Sequence, residues 1–137
     1  YIRHGSSLDA RLREMAILQV GWLARSPYEW SHHVKIGFDF GVSKDDIRKL
    51  IAETDGEDTD LAAIDKTVLR AAREITLDGK VSSKTFAVLE AHFSKEHLID
   101  LLVTMAFYNA VVRFLASTEM DVEESYQPYL DQFPLPK

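Results

Sequence analysis

Three polar side chains fall where the hydrophobic pattern calls for apolar ones. Glu14 shares a helical stripe with Ala10, Ile17, Leu18 and Gly21, and His33 lies on the face of Trp30, Val34 and Phe38. Arg113 follows Asn109 by four residues, so the two project from one side of a helix. A carboxylate in apolar surroundings is costly unless paired, and desolvation raises its pKa, so buried titratable groups that meet are candidates for proton transfer. A glutamate, an imidazole and a guanidinium together suit acid/base chemistry on a small carboxylate. The imidazole moves the proton, the glutamate holds its tautomer, and the guanidinium grips the anion. The same residues admit a structural reading, with Glu14 and Arg113 as an ion pair and His33 hydrogen-bonded in the core.

Glu29 is equally two-sided. Ser26-Pro27-Tyr28-Glu29 matches a capping box, in which the glutamate reaches back to the cap's amide. Glu29 also precedes His33 by four residues, so the two side chains meet on one helix face. A metal held by Glu29, His33 and Glu14 finds little support. No second histidine stands at a ligand spacing, and His32 points about 100° away round the helix. We therefore expect no metal site.

The 137 residues contain no cysteine, which leaves no thiolate nucleophile and no thiol redox cycle. The net charge of −6, with no basic stripe, argues against nucleic acid as a partner. Gly41-Val42-Ser43 with Ile47 and Leu50 has the look of a helix-turn-helix turn, but Asp45, Asp46 and Glu53 make its second helix a poor reader of DNA. The apolar stretch 101–116 is interrupted by Thr104, Asn109 and Arg113, so it is expected to be a buried core helix, not a bilayer span. No secretory signal pattern is visible, and the first residue is Tyr1 rather than Met, so the expectation of a cytoplasmic protein rests on composition.

The elements that must position these residues are all helical. Six helices are expected in a single domain over 1–137, with a core at about 8–118 and a C-terminal arm at 119–137. The first spans about 8–24. The second starts at Ser26-Pro27, a cap followed by proline at the first helical position, and stops at Gly41. Ser43 caps a third helix over 44–53, and an acidic loop containing Gly56 leads to a fourth over 61–77, closed by Asp78-Gly79. Ser82 or Ser83 opens a fifth, and Ser94 caps a sixth from 95 to about 118. The arm carries three prolines with Tyr126, Tyr129 and Phe133, and is expected to pack in extended form over a neighbour. The first helix is apolar almost all round between Met15 and Ala24, and the sixth has the same character, which suggests burial between subunits.

Taken together, Arg13-Glu14-Met15-Ala16-Ile17-Leu18, Trp22, Tyr28-Glu29-Trp30-Ser31-His32-His33 and Gly41-Val42-Ser43 with Ile47 strongly resemble the carboxymuconolactone decarboxylase-like family. Val68-Leu69-Arg70-Ala71-Ala72-Arg73-Glu74 and the helix bearing Tyr108, Asn109 and Arg113 look similar too, so the resemblance runs over about 8–118. It implies an all-α, alkylhydroperoxidase D-like fold assembled as a trimer or hexamer. It also implies a decarboxylase-like enzyme acting on a small carboxylated lactone or ring-cleavage product of aromatic catabolism. On this reading His33 is the general acid/base, oriented by Glu14 or Glu29. Arg113 clamps the substrate's other carboxylate with Asn109 as auxiliary donor, and Trp22, Trp30 and Tyr108 wall the pocket. In the family's thiol-peroxidase branch a Cys-x-x-Cys pair occupies the positions held here by Ser26 and Glu29, so that cycle is not expected. Two rivals share the scaffold: another acid/base reaction (isomerase, hydratase or hydrolase), and a non-catalytic helical assembly or binding protein.

Overall fold

The computed structural model describes residues 1–2 and 4–137. Among them it contains helices only: α1 (Ala10–Leu23), α2 (Pro27–Asp39), α3 (Lys44–Thr54), α4 (Ala63–Asp78), α5 (Ser83–His92), α6 (Lys95–Ser117), a 3-10 turn at Glu124–Tyr126 and a short α7 (Gln127–Gln132). Four helices begin with a side chain that closes an orphan amide: Asp9 on Leu12, Ser43 on Asp46, Ser82 on Thr85 and Ser94 on His97. Asp46 returns the bond to the Ser43 amide, so the capping box of this chain opens α3. Gly79, at φ 82°, ends α4 in the left-handed conformation that glycine adopts without a Cβ penalty.

Helix α1 is the axle. Every residue from Leu12 to Trp22 is buried. On one side Leu12, Ala16, Ile17 and Val20 pack with Val68, Ala72, Leu89, Leu101 and Met105 of α4, α5 and α6. On the other, Met15, Leu18 and Trp22 pack with Trp30, Val34, Ile47, Leu50 and Phe133. The all-round apolar character of α1 is thus satisfied within one chain, and the expectation that its surplus faces another subunit does not hold. Arg11 fixes the mutual placement of three helices, since its guanidinium reaches both carboxylate oxygens of Asp46 on α3 and of Asp65 on α4.

The C-terminal segment is not simply an extended arm. It carries the 3-10 turn and α7, and it belongs to the core. Phe133 is 5% exposed, and its carbonyl accepts a 2.7 Å bond from Trp30 Nε1. His32 is stacked between Tyr28 and Tyr126, at 4.0 and 3.7 Å between ring centroids, with Nε2 3.1 Å from Glu123. These contacts clasp the segment to the outer face of α2.

Helix α6 has 23 residues and is long and apolar enough, by length and composition alone, to cross a membrane. Only 39% of its most apolar stretch is buried. Ile99, Val103, Phe107 and Phe114 remain about half exposed or more, against the expectation of a fully buried core helix.

Candidate functional site

His33 sits on the inner face of α2, 4% exposed, with each ring nitrogen against a carboxylate. Nδ1 donates to Glu14 Oε2 at 2.7 Å, and Nε2 lies 3.2 Å from Glu29 Oε2. The second contact is an ion pair, and Glu29 Oε2 has no hydrogen-bond partner of its own. Glu14 is fully buried and takes a further bond from Arg13 Nε at 3.2 Å on its other oxygen. The Arg13 guanidinium rests 4.8 Å over the Phe40 ring. Tyr108 of α6 meets the imidazole edge-on, with ring centroids 5.0 Å apart. Burial works against charge on His33, but the bond to Glu14 and then the pairing with Glu29 outweigh it, and its pKa is raised. The two carboxylates thus favour the charged form of the buried ring, and Glu29, 7% exposed, is the outermost of the three groups.

The local fold explains this convergence. Ser26 stands at the N-cap of α2 but makes no capping bond, so Ser26-Pro27-Tyr28-Glu29 is not a capping box. Glu29 instead turns along the helix to His33, one turn on. Helix α2 packs against α1 at Gly21, where even a Cβ would meet the Trp30 backbone only at an ordinary contact distance of 3.7 Å. That approach brings Glu14 into reach of His33.

The expected substrate clamp lies elsewhere. Arg113 is exposed and donates to the backbone carbonyl and side-chain oxygen of Asn109, whose amide donates to Thr76. Arg113 lines a separate hollow with Leu23, Ala24 and Leu77. The reason is helical phase: Arg113 is five residues past Tyr108, which turns it about 140° from the face that meets His33. Trp22 and Trp30 meet in a tilted pair with ring centroids 5.0 Å apart, and Trp30 is wholly buried, so they form core between α1, α2 and the C-terminal segment and do not wall an open pocket. Tyr108 alone of the expected wall adjoins the imidazole. Arg13 was not singled out as a site residue. The signal was its place beside Glu14 on a helix apolar all round, where any cation is buried and needs a partner.

An all-helical bundle with a buried glutamate–histidine pair on its first two helices defines the class, and the chain belongs to the carboxymuconolactone decarboxylase family, whose model matches residues 1–74. The match covers Glu14, Glu29 and His33 and ends within α4, so it is shorter than the resemblance read to residue 118 and leaves out Tyr108, Asn109 and Arg113. No curated protein and no solved structure matches the chain.

Proposed function

We propose that this protein is a cofactor-free acid/base enzyme of decarboxylase type, acting on a small carboxylated lactone or related ring-cleavage product. One observation carries the reading: a buried histidine bracketed by two carboxylates, on the helices that the family model matches. The C–C bond to the departing carboxylate breaks, CO2 leaves, and the electron pair passes into the conjugated lactone carbonyl as a dienolate. The carbon then takes a proton, which the His33 imidazolium supplies through Glu29, the outer and poorly satisfied partner. Glu14 holds Nδ1 and stabilises the charged ring. His33 recovers its proton from water by the same route.

The rival is a non-catalytic helical assembly protein, favoured by the near-complete burial of His33. A screen of aromatic ring-cleavage lactones, following loss of conjugated ultraviolet absorbance, separates the two. Turnover that His33→Ala abolishes while the helical content stays intact supports the enzyme. Unfolding of His33→Ala, with no turnover by the native chain, supports the assembly protein. Thiol-dependent reduction of an alkyl hydroperoxide is expected to equal the protein-free blank, since Ser26 and Glu29 stand at the thiol positions. We also propose that the half-exposed apolar face of α6 is covered by further copies of the chain.

A further inference from the structure

We propose that Arg13 is a positioning residue of the site: its guanidinium shares the charge of Glu14 and so limits how tightly the His33 ring holds the proton that faces Glu29. Adjacent residues on a helix point about 100° apart and do not ordinarily face each other. Arg13 and Glu14 nevertheless touch, Nε standing 3.2 Å from Oε1, the carboxylate oxygen that His33 does not use. The contact is prepared by α2. Phe40, its C-cap residue, follows His33 by seven positions, so the two rings fall on nearly one side of that helix, two turns apart. The Arg13 guanidinium rests 4.8 Å over the Phe40 ring, and this cation–π contact holds it toward Glu14. One helix thus presents to α1 both the imidazole and the platform that aims a cation at the far side of its carboxylate.

Burial makes the arrangement count. Arg13 is 2% exposed and Glu14 wholly buried, so water screens little of the attraction between them. Among the described residues, the titratable groups facing the His33 ring are Glu14 from α1, Glu29 from its own helix and Tyr108 from α6. Arg13 acts on the ring through Glu14. With the imidazole charged, two carboxylates, one guanidinium and the ring are in balance. Taking away the guanidinium leaves a buried negative excess, which is relieved by fastening the ring's second proton more firmly. A Glu14 without Arg13 would therefore make His33 a poor proton donor. With Arg13 in place, part of that pull is drawn off and the proton on Nε2 remains available to Glu29. The role of Arg13 rests on the acid/base reading only for where that proton then goes.

The test is an NMR titration of the ring nitrogens in the full chain, labelled with 15N-histidine. The chain has five histidines, and the resonance lost in His33→Gln identifies the one that matters. Arg13→Met removes the charge while keeping a long apolar side chain against Phe40, and is expected to raise the His33 midpoint by about one pH unit. Arg13→Lys, which keeps the charge, is expected to stay close to the native midpoint. An Arg13 that only packs would cost Arg13→Met its melting temperature and leave the midpoint in place. That result overturns the proposal, as does a fall in the midpoint or an equal rise in both variants. Should Arg13→Met fail to fold, Phe40→Leu carries the same test, since it keeps every charged group and removes only the ring that aims the guanidinium. A smaller rise there supports the proposal, and an unmoved midpoint overturns it. The titration needs no substrate, so the two readings fail separately. A moved midpoint without lactone turnover by the native chain leaves Arg13 standing and removes only the acid/base enzyme. Turnover with an unmoved midpoint does the reverse.

Discussion

At the scale of single residues, the controlling fact is that His33 is buried with a carboxylate at each nitrogen. Its folded pKa is raised above the ordinary 6.5, so the stabilisation it contributes is fully present below that value. It is lost as pH rises through the folded value, because the unfolded chain has already released the proton the native state still holds. Melting temperature should therefore fall as pH climbs above about 6.5, and His33→Gln should flatten that slope. An unchanged slope in the variant would remove the imidazolium from the account. Glu14→Ala strips the charged ring of its buried partner and leaves Arg13 without the carboxylate that accepts from Nε. The expected cost is about 3–5 kcal/mol, read from denaturant midpoints, whereas removing the outer Glu29 should cost less stability and mainly activity.

At the scale of elements, two serines make the sharpest comparison. Ser43 caps α3 and receives a bond in return, so Ser43→Ala should cost about 1 kcal/mol; Ser26→Ala, which breaks no cap, should cost a few tenths at most. Equal losses measured by chemical denaturation would contradict the geometry of α2. The same comparison shows what is legible in sequence. The helix starts at Ser43, Ser82 and Ser94 and the stops at Gly41 and Gly79 are local signals, and the six long helices follow from them. The Glu14–His33 meeting is legible only because both break an apolar stripe. Whether Glu29 turns to its own helix cap or to His33 is not, since both partners lie within reach of one side chain and the packing of α2 on α1 decides. Arg113 fails for a related reason, because spacing to Asn109 fixes a shared face but not which neighbour that face meets. The C-terminal segment is misjudged because its prolines suggest extension while Trp30, 103 residues earlier, supplies the bond that anchors it. Deleting residues 119–137 should accordingly expose Trp30 and lower the melting temperature by several degrees, visible as a red shift in tryptophan emission.

At the scale of the whole molecule, α1 is satisfied and α6 is not. Ile99, Val103, Phe107 and Phe114 recur at helical spacing along α6, and Phe86 of α5 and Leu77 of α4 add to the exposed apolar surface. A contiguous apolar face of this kind marks an interaction surface. A bilayer would have to accept Asn109 within the helix and Arg113 near its C-terminal end, and the other side of α6 is already committed to the core through Leu101, Met105, Tyr108 and Val112. A second copy meets neither difficulty, because the polar groups stay at the edge of the contact and the core contacts persist. Light scattering is therefore expected to give a mass at least twice 15.6 kDa, with a trimer or hexamer the expected stoichiometry. Replacing both Val103 and Phe107 by Asp should return the mass to 15.6 kDa with helicity unchanged, since both side chains are about half exposed and can be charged without cost to the core. A native chain that is monomeric at micromolar concentration, or one that floats with lipid vesicles instead of self-assembling, would show that α6 meets something other than itself.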